Sequence, residues 1–138
     1  MSASLTSVLA AVAAALAIAG SSGASAADTD LRMRVWNAGR SNAVPTRVFT
    51  LRCGPVGGNL RSAGDACRRL AARDRPFAPL PKDAQCTQIY GGPQEALVTG
   101  RHRGQKVWVL LRLRDGCHIA RWRSLAFLTP GYGTASGS

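Results

Sequence analysis

From Leu31 to Val35 apolar and charged residues alternate, Leu31, Met33 and Val35 against Arg32 and Arg34. That is the period of a strand with one wet face. Asn37 to Asn42, rich in Gly, Ser and Asn, reads as a loop. Arg47–Cys53 reads as a second strand, with Phe49, Leu51 and Cys53 on its inward face. Gly54-Pro55 breaks it, and Gly57-Gly58-Asn59 continues the loop. Ser62-Ala63-Gly64-Asp65 then has the form of a helix start, with the Ser62 hydroxyl as cap and Asp65 in the first turn. Ala66, Cys67, Leu70 and Ala71 share one face of that helix. Arg68, Arg69 and Arg73 lie mostly on the other, and Pro76 is the expected stop.

Phe77 to Gly92 has no period, two prolines and one cysteine. A long irregular segment in a compact domain is usually functional or disordered, and the cysteine argues for order. Glu95–Thr99 and Lys106–Arg114 follow as two strands, with Gly100–Gly104 as the hairpin turn between them. On the second of these, Val107, Val109, Leu111 and Leu113 share one face; Trp108, Leu110, Arg112 and Arg114 share the other. Asp115-Gly116 turns the chain into Cys117. Ile119–Arg123 is expected as a short helix and Leu125–Leu128 as a final strand. The elements sum to an α+β domain over residues 28–130, with 131–138 as a flexible tail.

The N-terminus changes the setting. Leu5 to Gly20 is apolar or small and uncharged, too short for a membrane span, and Ala24-Ser25-Ala26 fits a signal cleavage pattern. Residues 1–27 are therefore expected to be a secretory signal, and the mature protein to be extracellular with no membrane attachment. Every charged residue lies after position 27, so the mature chain carries the full net charge of +11, from sixteen Arg and two Lys against seven acids. That charge suits either a solubilising surface or an acidic partner. Behind a signal, the even count of Cys53, Cys67, Cys86 and Cys117 reads as two disulfides in one of three pairings. No metal is expected, because the closest pair stands fourteen positions apart and zinc sites need close pairs.

No catalytic constellation emerges. His102 sits between two Arg residues in the expected hairpin turn, His118 follows Cys117 directly, and neither belongs to a nucleophile motif. With all cysteines paired there is no thiol nucleophile, so the chain is read as a non-enzyme with no cofactor. Nucleic acid is not expected as a partner either. Stacking needs exposed aromatic residues on the basic face, the chain has only eight, and Phe49 and Phe127 look like core. What remains is Cys86-Thr87-Gln88-Ile89-Tyr90-Gly91-Gly92-Pro93. An exposed run pinned by a disulfide suits a substrate-like protease inhibitor, because a pre-fixed loop loses little entropy on docking. An ordinary anchored surface loop would look the same.

Several segments together resemble the Streptomyces subtilisin inhibitor family, extracellular proteins of actinomycetes. Arg47–Pro55 is similar to the family's strand ending in Thr-Leu-x-Cys-x-Pro, and Ala66–Ala71 to its Ala-Cys-x-x-Leu helix. Cys86-Thr87-x-x-Tyr90 is similar to its reactive loop, and Gly100-x-x-x-Gly104-Gln105-Lys106-Val107 to its hairpin. The resemblance implies a five-stranded antiparallel sheet with two helices packed on one face, and disulfides Cys53–Cys67 and Cys86–Cys117. It implies a subtilisin-like extracellular serine protease as partner and a possible homodimer. Gln88 and Ile89 would flank the scissile bond, with Gln85, Cys86, Thr87 and Tyr90 as further loop contacts. Three departures stand out: Gln88 replaces the common Lys, Arg or Met, Gly91-Gly92-Pro93 is one residue longer than usual, and His102 replaces a common Trp. The competing reading is a basic secreted protein that binds polyanions and keeps the fold without inhibition.

Overall fold

The computed structural model describes residues 14–15, 28–41 and 43–134. The expected signal, residues 1–27, thus falls almost wholly outside the described residues, as does the end of the expected tail. Strands β1 (Thr29–Trp36), β2 (Arg47–Cys53), β3 (Gly92–His102) and β4 (Gln105–Leu113) form one antiparallel sheet in the order β2-β1-β3-β4. Helix α1 (Ala63–Ala71) follows β2, and helix α2 (Gly116–Ser124) follows β4.

The period-two pattern decides which face is covered. In register, Met33 lies beside Phe49 and Val98, and Val98 beside Val109. These residues and Leu31, Val35, Leu51, Leu111 and Leu113 are buried with Ala66 and Leu70 of α1 and Ile119 and Trp122 of α2. Both helices therefore pack on one face of the sheet. The disulfides are Cys53–Cys67, tying β2 to α1, and Cys86–Cys117, tying the irregular segment to α2.

Among the described residues the sheet has four strands, not five. Leu125–Leu128 is not a strand: Ala126–Leu128 is a 3-10 turn. Its apolar residues explain why. Ile119, Trp122, Leu125 and Leu128 are all buried at a spacing of three, a helical stripe, and the Trp122 indole donates to Thr129 Oγ1 at 3.0 Å. The chain also stays on the core beyond residue 130. Tyr132 packs edge-on against Phe49, and the Gly133 amide donates to Gln94 Oε1 at 3.1 Å.

Three local expectations shift. Ser62 does not cap α1 with its hydroxyl, because its backbone is left-handed (φ 60°), whereas a capping side chain needs an extended residue. Asp65 instead pairs with Arg69 at 2.8 Å and Arg68 at 3.6 Å. The helix stops at Ala71, well before Pro76, and Arg103 closes its end by donating to the carbonyls of Ala71 and Asp74 at 3.1 and 2.9 Å. The hairpin turn is only Arg103-Gly104, both at positive φ as a two-residue turn requires. Gly100 lies within β3, where a Cβ would collide with the Asp30 carbonyl.

Candidate functional site

Between Ala71 and Gly92 the chain runs without helix or strand, yet it is held at many points. The Arg121 guanidinium donates to the Ala78 carbonyl at 3.0 Å. Phe77 packs on the core and edge-on to His102, with ring centroids 5.4 Å apart. Ala78 and Ala84 close local turns onto Arg75 and Pro81. His102 is not an exposed turn residue: it ends β3, is buried, and bonds Thr29 Oγ1 at 2.8 Å through Nδ1. Burial, and then the adjacent Arg103 charge, push its pKa down.

This support ends in the segment singled out by the sequence. Gln85, Thr87, Gln88, Ile89 and Tyr90 are all exposed, Ile89 at 57% and Tyr90 at 67%. Large apolar groups in water on a small domain usually mark a contact surface. The flanks are fixed. Cys86 is bonded to Cys117, the Gly116 amide donates to the Thr87 carbonyl at 2.9 Å, and the Gly91 amide donates to the Leu113 carbonyl at 2.6 Å. Gln88 and Ile89 lie between these last two clamps. Among the described residues the Gln88 side chain reaches only the Cys86 carbonyl, at 3.4 Å. The structure thus gathers Gln85, Cys86, Thr87, Gln88, Ile89 and Tyr90 into one exposed run; Cys53 and Cys67 belong to the other bridge, away from it.

In the sequence the clamp has only the form of a turn, Asp115-Gly116. Asp115 is the N-cap of α2, accepting from the His118 amide at 3.0 Å and meeting His118 Nδ1 at 2.8 Å. The hydrogen bonds from the His118 backbone and then its side chain hold the Asp115 carboxyl at about 2, below its ordinary 3.8. The cap sets the first turn of α2, which aims the Gly116 amide at the Thr87 carbonyl. A Cβ at Gly116 would collide with Thr87 Oγ1, so the approach needs glycine. The signal was available: Asp just after a strand and just before a helical stretch is an N-cap pattern.

The sulfurs of Cys86 and Cys117 and a carboxylate oxygen of Asp115 lie within 4.8 Å of one another. The sulfurs are bonded to each other, so the cluster offers no thiolate and is not a metal centre. No helix among the described residues is long and apolar enough to cross a membrane.

A family model described as subtilisin inhibitor-like matches residues 27–110. The match takes in β1 to β3, most of β4 and the whole exposed run, while Cys117 and α2 lie past its end. Comparison with curated proteins gives no match. A family model that covers more than half of the chain, including the clamped run, settles membership: the chain belongs to the subtilisin inhibitor-like family.

Proposed function

We propose that the protein is a secreted, substrate-like inhibitor of subtilisin-type serine proteases, presenting the Gln88–Ile89 bond to the protease active site. The observation that carries this reading is the exposed run between two backbone clamps, with a disulfide at Cys86. Such a run enters the cleft of a protease as a substrate does, but its ordering cost is already met by the fold. When the bond is cut, Thr87 O and Gly91 N still hold the two new ends in place. The freed amine stays beside the acyl-enzyme, and re-formation of the bond competes with hydrolysis.

Gln88 fills the primary pocket, with Thr87 and Cys86 before it, Ile89 and Tyr90 after it and Gln85 further along the cleft. Gln88 is uncharged and cannot pair with the buried carboxylate of a trypsin-type pocket, which would be left desolvated and unpaired. A broad, mostly apolar pocket accepts its long stem, provided the amide stays hydrogen-bonded at the rim or to water. Gln85 fits an apolar pocket poorly and limits the affinity.

Titration of the purified mature protein against subtilisin and trypsin tests the reading. Inhibition of subtilisin well ahead of trypsin is expected. Absence of inhibition of either enzyme at micromolar protein overturns it.

A further inference from the structure

The segment after α1 and the end of the β3–β4 hairpin enclose a cleft of about 440 Å³, and none of its lining belongs to the run from Gln85 to Tyr90. That volume is in the ordinary range of small-molecule sites. Pro76, Phe77 and Val107 give the cleft an apolar wall. Its charged lining is Arg75, Arg103 and Lys106 against Asp74, three cations less one acid, a net charge of +2. Arg103 is already committed to the carbonyls of Ala71 and Asp74. Arg75, Lys106 and the Asp74 carboxylate make no ion pair among the described residues.

His102 lines the same cleft and is only 6% exposed. Its two nitrogens stand differently. Nδ1 meets Thr29 Oγ1 at 2.8 Å, whereas Nε2 is buried without a hydrogen-bond partner among the described residues. A buried imidazole nitrogen left unbonded is costly, and a ligand atom that bonds it recovers that cost. Phe77, half-buried, stands edge-on to the imidazole with ring centroids 5.4 Å apart. It belongs to the stretch without helix or strand, where a ring turns aside at lower cost than within the sheet.

The lining selects among ligands. A cation meets a net positive charge. An inorganic dianion gains nothing from Pro76, Phe77 and Val107 and is opposed by Asp74. A carboxylate with a single charge on a flat apolar body matches both the wall and the cations. We propose that this cleft binds a small organic carboxylate, its oxygens on His102 Nε2–H and the Arg75 guanidinium and its apolar body on Pro76, Val107 and the turned-aside ring of Phe77. The Thr29 hydroxyl then donates to Nδ1, which leaves the imidazole proton on Nε2. Lys106 adds its charge at the rim. The site is independent of the inhibitory reading, since it shares no residue with the exposed run.

The test is titration of the mature protein with phenylacetate, followed by two-dimensional proton–nitrogen NMR of the amides and the imidazole nitrogens, with phenylacetamide and inorganic phosphate as comparison ligands. Phenylacetate should give saturable shifts at Phe77, His102 and Val107 with a dissociation constant of about 1 mM or below. It should also move the His102 Nε2 signal to that of a protonated nitrogen. Phenylacetamide, which lacks the charge, and phosphate, which lacks the body, should each bind about tenfold more weakly. Arg75→Gln should weaken phenylacetate binding about three- to tenfold, and Asp74→Asn should tighten it about twofold. His102→Phe keeps a ring against Phe77 but loses the donor, and should weaken binding about tenfold. Arg75 is exposed, so Arg75→Gln reads the site even where His102→Phe fails to fold. No saturable shift up to about 20 mM phenylacetate overturns the proposal. So does equal binding of phenylacetamide or of phosphate, and so does an affinity unchanged in Arg75→Gln.

Discussion

Removing the Cys86–Cys117 bridge separates what holds the domain from what holds the reactive run. The bridge closes a loop across a sequence separation of 31. The chain-entropy relation puts its contribution at about 3.7 kcal/mol at 25 °C, which corresponds to a fall in Tm of about 15 °C or more. The Cys53–Cys67 bridge and the buried core remain, so a Cys86→Ser/Cys117→Ser protein is expected to fold at 25 °C. In the run itself, the clamps at Thr87 and Gly91 survive but the tether at Cys86 is lost. Residues 85 and 86 then have to be ordered on docking, at about 1–2 kcal/mol of backbone entropy each. The inhibition constant should rise about 30- to 700-fold. The variant should also be cut by subtilisin at a rate that wild type resists. Guanidinium unfolding gives the first quantity, and progress curves with mass spectrometry of the products give the others. An inhibition constant within threefold of wild type, with equal resistance to cleavage, refutes the reasoning: the bridge would then stabilise the domain without organising the run.

Gln88→Lys places an ammonium where a trypsin-type pocket has its carboxylate; inhibition of trypsin should appear, and no gain means that Gln88 does not enter the primary pocket. Gly116→Ala drives a methyl group into Thr87 Oγ1 and should weaken subtilisin inhibition about three- to tenfold. In Thr87→Ala/Gly116→Ala the further loss caused by the Gly116 change should vanish, a coupling that paired inhibition constants read directly. Asp115→Asn keeps an acceptor for the His118 amide but loses the charge that also faces His118 Nδ1 and Arg114. Because the folded carboxyl is held at about 2, below its ordinary 3.8, its contribution is present above pH ~4 and lost as pH falls through ~2. The urea midpoints of wild type and variant should differ at pH 5 and converge near pH 2; a constant gap would mean that the carboxylate is not the cause.

Alternating residues made the sheet legible. Arg47–Cys53 was bounded to the residue and Lys106–Arg114 to within one, because each carries a clean apolar row on a half-buried strand. The end of β3 was hidden by Gly100, which looks like a turn residue but is glycine for the close approach of the Asp30 carbonyl. The last element is a 3-10 turn and not a strand, because four apolar or small residues, 125 to 128, fit either period. Only Ile119, Trp122, Leu125 and Leu128 taken together reveal the spacing of three. In the site, the exposed run was legible from its cysteine, prolines and lack of period. Its clamps were not, since Gly116 to Thr87 and Gly91 to Leu113 are backbone contacts between distant segments, which side-chain patterns do not encode. His102 was misplaced for a related reason: whether a histidine between two arginines is wet depends on Phe77 and Thr29, far away in sequence.

Identifying the bond that is cut decides whether Gln88–Ile89 is presented and re-formed in a protease active site. The mature protein is incubated with a catalytic amount of subtilisin until the ratio of intact to cleaved chain stops changing, and the products are mapped without reduction. A single cut between Gln88 and Ile89 is expected, with two fragments still joined through Cys86–Cys117 and the same final mixture when the cleaved form is the starting material. A cut elsewhere, or steady conversion to cleaved chain with no return, contradicts it.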